Sequence, residues 1–182
     1  MKAIDIMMME HKNILRMLQV TRKYCLKILK NEPVDYQDFY KIIDFVRNYA
    51  DKHHHGKEEI MLFNRMSEEL GSAAEKLVKH GMLVEYDLGR LHMSDLEEAL
   101  KKLESGDEEA KLDIIAAAMG YVNLLKRHIH KEDNVVFKFA ENNLKNINLI
   151  CVPRCALLLK KMVEIQFMLK LWLMKPLKSL IQ

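Results

Sequence analysis

Residues that break helices are scarce in this chain. Its 182 residues include only 3 prolines and 6 glycines, and aromatic residues make up 7%. Methionine, by contrast, occurs 13 times, and the hydrophobic content of 49% is enough to fill the core of one domain. This balance favours an all-α protein over a sheet-based one.

Cysteine is equally sparse, and its pattern excludes two common kinds of site. The 3 cysteines are Cys25, Cys151 and Cys155. Their odd number and their spacing match neither a disulfide framework nor a zinc motif. Near the start, Asp5 stands where a signal peptide would have its apolar stretch. We therefore expect the protein in the reducing cytoplasm.

Positive charge does not accumulate in the first 141 residues. The whole chain has a net charge of +3, yet no sustained basic patch occurs before residue 142. A nucleic-acid surface would need such a patch. We therefore expect no nucleic-acid partner.

Helix boundaries divide most of the chain into four long segments, at residues 3–30, 35–66, 72–103 and 107–143. The first segment ends before Pro33, because proline cannot continue the helical hydrogen bonds. Asp35 and Asp107 can cap the second and fourth segments, and the stretch Ser72-Ala73-Ala74-Glu75 has the form of a capping box. The connections are short, which predicts an up-down-up-down antiparallel four-helix bundle over residues 1–143.

Two histidine–glutamate pairs are the most informative feature of the sequence. His54 and Glu58, like His128 and Glu132, stand four residues apart, so each pair projects from one helix face, one turn apart. Together with His11, the two pairs can build a metal site. In the predicted bundle all five residues fall in one layer, roughly 12 to 18 Å from the same end.

The periodicity leaves one choice open on the second helix. His55 and Glu59 are also four residues apart, and both pairs have apolar neighbours. The remaining histidines outside the candidate layer, which include His53, His92 and His130, are expected to be solvated.

The sequence resembles the hemerythrin-like (HHE cation-binding) family in four stretches that occur in order, at residues 8–11, 54–63, 85–90 and 128–137. The resemblance covers roughly residues 1–143 and implies a site for two non-haem iron ions. The implied nitrogen ligands are His11, His54 and His128, and Glu58 and Glu132 are the implied bridging carboxylates. It therefore favours the pair His54/Glu58. Imidazole with carboxylate suits iron, although other divalent metals could bind in some preparations.

The sequence departs from the family pattern at position 86. The pattern has Glu-His before the Gly-Arg pair on the third helix, whereas this chain has Glu85-Tyr86. Three alternatives follow: the Tyr86 phenolate is a metal ligand, the coordination position is open or filled by water, or His80 substitutes for the missing nitrogen.

Two classes of function agree with such a site. The first is a binding protein that captures or senses dioxygen or nitric oxide, or handles iron. The second is a di-iron enzyme that acts on peroxide or nitric oxide, or an iron donor in iron–sulfur cluster repair. The sequence does not decide whether the protein is an enzyme.

The C-terminal tail, residues 144–182, has a different composition. After Asn142 the chain carries seven Lys and Arg residues against the single acidic residue Glu164. Its apolar part, residues 156–174, is too interrupted by charges for a membrane span. The tail could form a fifth helix docked on the third, a homodimer contact or a helix lying on anionic membrane. It could also result from a shifted reading frame.

Overall fold

Four long helices make up the part of the chain that the structure describes. We describe the protein from a computed structural model, for residues 3–145. Helix α1 spans Ala3–Leu29, α2 residues 37–69, α3 residues 72–104 and α4 residues 110–143, and this part of the chain contains no strand. The predicted all-α four-helix bundle is therefore confirmed.

The connections between helices are set by a few local interactions. Asn31 adopts a φ of 56° just after α1. The Asp35 carboxylate accepts a hydrogen bond of 3.0 Å from the Gln37 backbone N–H, and Asp107 accepts one of 3.1 Å from the Glu109 N–H. The two aspartates therefore stabilise the turns that lead into α2 and α4, but the N-cap residues are Tyr36 and Glu109, which make no side-chain capping bond.

The predicted capping box at the start of α3 is wrong. The helix does begin at Ser72, but its N-cap is Gly71 and no side chain makes a capping hydrogen bond. Gly71 has φ 77° and ψ −166°, a conformation that side-chain-bearing residues rarely adopt. The tight turn from α2 into α3 therefore depends on the backbone freedom of Gly71.

The apolar core consists of two clusters with a polar layer between them. One cluster contains Ile14, Leu18, Leu96 and their neighbours, and the other contains Met7, Phe63, Met82 and Phe137 among others. Apart from Thr21, the buried polar and charged residues lie in sequence between members of the two clusters, on α1, α2 and α4. They are Glu10, His11, His54, His55, Lys57, Glu58, His128 and Glu132.

Wide π-type turns interrupt three of the helices near this polar layer. They cover Val46–His55 and Glu58–Phe63 in α2, Val78–Met82 in α3 and Glu132–Val136 in α4. At their ends the backbone N–H groups bond five residues back, as Phe137 does to Glu132 and Gly56 to Asp51. Such turns often occur at functional sites, because they change which residues face inward.

Predictions for the tail lie mostly outside the described residues. These include the suggested fifth helix, the homodimer contact and the helix on anionic membrane. The division into a bundle at 1–143 and a tail at 144–182 stays a prediction. On α3, the helix suggested as the docking partner of the tail, the apolar side chains of Val84 and Leu91 are exposed. Within residues 3–145, no helix has the length and apolar character needed to cross a membrane.

Candidate metal centre

The structure brings four of the predicted ligands into one buried group. Donor atoms of His11, His54, Glu58 and Glu132 all lie within 4.8 Å of one another. His11 Nε2 is 3.2 Å from Glu132 Oε2 and 3.8 Å from Glu58 Oε1, and His54 Nε2 is 3.4 Å from the same Glu58 oxygen. Histidine nitrogens from α1 and α2 therefore face one oxygen of each carboxylate.

The opposite oxygens of the same carboxylates face the other two predicted ligands. His128 Nε2 is 3.0 Å from Glu132 Oε1. The Tyr86 hydroxyl donates a hydrogen bond of 2.6 Å to Glu58 Oε2 and lies 3.5 Å from Glu132 Oε1. Each carboxylate thus has one oxygen toward the His11/His54 side and one toward the Tyr86/His128 side.

Five atoms of this cluster have no hydrogen-bond partner. They are His11 Nε2, His54 Nε2, His128 Nε2, Glu58 Oε1 and Glu132 Oε2. Buried polar atoms are almost always paired, since leaving one unpaired costs about 1 to 3 kcal/mol. Imidazole nitrogens and carboxylate oxygens that converge without partners form a donor set that fits iron, manganese or zinc.

Three carboxylates outside the cluster hold the histidine rings. His11 Nδ1 is 2.7 Å from Asp133 Oδ1, His54 Nδ1 is 2.9 Å from Glu10 Oε2, and His128 Nδ1 is 2.7 Å from Glu85 Oε2. An ionised carboxylate only accepts, so each Nδ1 carries the hydrogen. In a neutral ring, Nε2 then presents a lone pair to the centre, as a metal ligand requires.

Burial and mutual charge shift the pKa values of the cluster strongly. Burial raises the pKa of Glu58 to about 8, and the charge of Glu132 adds to this. Burial alone would lower the pKa of His11, but the hydrogen bond to Asp133 and the nearby charges of Glu132 and Glu58 raise it to about 10. At His128 the charge of Glu132 likewise outweighs burial and raises the pKa to about 9. Without metal, protons on these groups balance the buried carboxylates.

Tyr86 keeps its proton in this arrangement. Its pKa lies well above the usual value of 10, first because the ring is buried and then because Glu58 and Glu132 are close. Its ring also stacks on His55, with ring centroids 3.7 Å apart and planes 9° from parallel. The phenol is therefore held in place on both its ring face and its hydroxyl.

The residues that were alternatives for the ligand set have contacts outside the cluster or lie at the surface. His55 is buried but points Nδ1 toward Asp51, at 3.6 Å, and Glu59 lies 3.8 Å from Arg90. His80 is exposed on α3. Of the six residues predicted as ligands, all lie in the cluster; whether each binds metal stays a prediction.

One prediction about the remaining histidines is wrong. His53 was expected to be solvated, but its side chain is only 8% exposed and its Nε2 lies 3.1 Å from Glu10. The buried Glu10 carboxylate attracts this ring along with His54. His92 is half-buried, and His130 is exposed as predicted.

The residues that hold the histidine rings and their carboxylate partners had no predicted role. These are Glu10, Glu85, Asp133, Lys57 and Lys131. A pattern was nonetheless present in the sequence. His54 and His128 are each followed by Lys at the third position and Glu at the fourth, and Glu10 and Glu85 each precede a predicted ligand.

Comparison with protein families agrees with this site. A family model described as the hemerythrin HHE cation binding domain matches residues 2–140. Comparisons with curated proteins and with solved structures found no match. Since the family model spans most of the chain, including every residue of the cluster, the protein belongs to the hemerythrin HHE cation-binding domain family.

Proposed function

We propose that this protein holds two non-haem iron ions in the buried cluster and uses them to bind or sense a small diatomic molecule, dioxygen or nitric oxide. The observation that carries the proposal is the set of five buried donor atoms without hydrogen-bond partners. Metal ions would satisfy all five, whereas an apolar ligand would satisfy none.

The two-sided arrangement of the carboxylates supports two ions rather than one. His11 and His54, with Glu58 Oε1 and Glu132 Oε2, would hold the first ion. Tyr86 and His128, with the opposite oxygens of the same carboxylates, would hold the second. Glu58 and Glu132 would then bridge the pair, as in other two-metal sites.

Iron would supply exchangeable electrons and a coordination position for a small ligand. The chain's own contribution is a dry and shaped surrounding. Glu58 and Glu132 have no exposed surface, and the apolar clusters on both sides exclude water from the centre. The outer carboxylates keep the histidine nitrogens oriented, so the ligand set would stay fixed when a small ligand binds.

An enzymatic role is the second candidate, and Tyr86 is the observation that favours it. An oxygen donor in place of a nitrogen stabilises ferric over ferrous iron. That preference suits peroxide or nitric oxide turnover better than reversible dioxygen carriage. Iron donation for cluster repair belongs to the same class. We further propose a cytoplasmic protein without a nucleic-acid partner, in which a homodimer contact could form.

Metal stoichiometry tests the proposal. Metal-free protein is loaded anaerobically with ferrous iron, freed of excess and assayed for iron per chain, with optical spectra before and after exposure to air. We expect two irons in the wild type and the loss of at least one in Glu58→Ala or Glu132→Ala, because each variant removes a bridge.

Glu59→Ala is the matched control, since Glu59 is the next residue and faces Arg90 instead of the cluster. It should retain both irons. A wild-type protein that holds one iron or fewer after careful loading would contradict the dinuclear site, and a loss of iron in Glu59→Ala would reassign the ligand pair on α2.

A further inference from the structure

Two lysines occupy matching places behind the cluster. On α2 the order is His54, Lys57, Glu58, and on α4 the order is His128, Lys131, Glu132, with the same spacing. The preceding helix supplies a glutamate in each case, Glu10 from α1 and Glu85 from α3. The chain thus builds the same arrangement twice, once in each half of the bundle.

In both halves the lysine ammonium and the histidine ring bind the same carboxylate. Glu10 accepts hydrogen bonds from His54 Nδ1 through one oxygen and from Lys57 Nζ through the other. Glu85 does the same for His128 and Lys131. Each carboxylate is therefore a link between a lysine and a predicted metal ligand.

Lys57 is an unusual residue to find in such a place. It is only 8% exposed, and lysine is almost never buried unless its charge is paired. Glu10 is fully buried, so solvent cannot offset its charge. The Lys57 ammonium donates a hydrogen bond to Glu10 Oε1 and so places a full positive charge directly against that carboxylate.

We propose that Lys57 and Lys131 are positioning residues that set the electron-donating strength of His54 and His128 through Glu10 and Glu85. A carboxylate that lacks its lysine would accept a stronger hydrogen bond from the imidazole N–H. The opposite ring nitrogen would then donate more charge to a bound metal and stabilise its oxidised form. This inference rests on the metal centre proposed above.

A charge cycle at Glu10 and Lys57 tests the inference in the iron-loaded protein. The variants are Lys57→Met, Glu10→Gln and the double variant, and the main readout is the midpoint potential of the iron centre. We expect Lys57→Met to lower the potential, Glu10→Gln to raise it, and the double variant to return close to the wild type. Shifts in potential that have opposite signs in the two single variants and cancel in the double variant distinguish an electrostatic role from a merely structural one.

The second pair and an exposed lysine supply the comparison. Lys131→Met should also lower the potential, but less, because the Lys131 side chain is 43% exposed and water screens its charge. Lys52→Met, at an exposed position of α2, removes the same charge without a link to the cluster and should leave the potential unchanged. Lys57→Arg should stay close to the wild type.

A readout without metal accompanies the potential. Lys57→Met leaves Glu10 buried without its cation and should lower the melting temperature of the metal-free protein, whereas the double variant should regain most of the loss. If Lys57→Met does not fold, the potential of Glu10→Gln compared with that of the double variant still gives the sign of the effect, and Lys57→Arg is the control that keeps the charge.

The outcomes separate the inference from the proposed function. Failure of the wild type to hold two irons overturns both. Full loading of the wild type together with equal potentials in Lys57→Met and Lys52→Met overturns the lysine role alone. Potentials that fall in Lys57→Met, Glu10→Gln and the double variant alike overturn it as well, because only a structural disturbance moves all three in one direction.

Discussion

Tyr86 is the residue whose surroundings differ most from what a packing side chain needs. It is 2% exposed, its hydroxyl donates to the Glu58 carboxylate, which His11 and His54 also approach, and its ring lies flat on His55. A phenylalanine would fill the same space without burying a hydroxyl. In the proposed centre the hydroxyl would serve either as an oxygen ligand or as a hydrogen-bond donor to Glu58.

Replacing Tyr86 by phenylalanine separates these two roles. A phenolate bound to ferric iron gives a broad visible charge-transfer band that imidazole and carboxylate ligands do not give. We expect oxidised wild-type protein to show this band and Tyr86→Phe to lose it while most of the iron is retained. Absorption spectra at equal iron content are the measurement.

Tyr121→Phe is the control for the Tyr86 experiment. Tyr121 is another fully buried tyrosine, and its hydroxyl has no hydrogen-bond partner. Its removal should not alter the visible spectrum. Identical spectra of Tyr86→Phe and wild type would mean that Tyr86 only packs and donates its hydrogen bond, leaving a coordination position for an exogenous ligand.

At the scale of helices, local sequence rules identified the four segments but not their irregular turns. Pro33, Asp35 and Asp107 mark boundaries that the structure keeps within a few residues. The π-type turns have no comparable pattern, because an inserted residue is accommodated by tertiary packing rather than by local preference. The inward position of His53, next to two other buried histidines, could not be read from regular helical spacing.

At the metal site, too, residues related by spacing within one helix could be predicted, whereas contacts between helices could not. The i, i+4 pairs place histidine and glutamate on one helix face, so His54/Glu58 and His128/Glu132 were predictable from spacing. Which residues of other helices meet them depends on helix rotation and depth, and those were found through the family pattern. The roles of Glu10, Glu85 and Asp133 require contacts between helices, which a single sequence does not specify.

Two glycines in α2 and the turn after it allow a test of element stability. Gly71 needs its positive φ, so Gly71→Ala should lower the free energy of unfolding by about 1 to 3 kcal/mol even though nothing crowds the added carbon. Gly56 is helical, and an added Cβ would meet only the Asp51 carbonyl at 4.0 Å. Gly56→Ala should therefore raise the free energy of unfolding by about 0.5 to 1 kcal/mol.

Denaturant unfolding of metal-free protein measures both changes. Metal-free samples are needed because Gly56 lies between two predicted ligands, and metal binding would add its own contribution. Equal effects of the two substitutions would contradict the assignment of Gly71 as the residue that makes the turn between α2 and α3.

At the scale of the whole molecule, burial of the polar layer makes the free energy of folding less favourable, and burial of the two apolar clusters must offset this. Three histidines and two glutamates of the proposed metal site have buried atoms without hydrogen-bond partners, and burial works against every charge among them. Metal ions would reverse this balance, because they pair with all of these atoms at once. Metal binding and folding are therefore expected to be coupled.

Thermal melting should show that coupling and its pH dependence. At free metal a hundredfold above the dissociation constant, binding adds about 2.7 kcal/mol for each site, so metal-loaded protein should melt higher than metal-free protein. His54→Ala should remove most of the difference. His130→Ala is the control, since His130 is an exposed imidazole on α4.

The difference in melting temperature should also widen as the pH rises. In the metal-free protein, carboxylate contacts outweigh burial and raise the pKa of His11 to about 10 and of His128 to about 9, above the usual histidine value of 6.5. The folded state then binds more protons than the unfolded state, so this stabilisation is complete below about pH 6.5 and is lost as the pH rises through about 9 to 10. Burial raises the pKa of Glu58 to about 8, above the usual glutamate value of 4.5, so this residue also makes the folded state less stable as the pH rises. Metal-bound imidazoles carry no such proton, so the loaded protein lacks this loss.

Melting curves of zinc-loaded and metal-free protein from about pH 6.5 to about pH 8.5 measure the effect. A gap that stays constant or narrows over this range would mean that His11 and His128 are already neutral without metal.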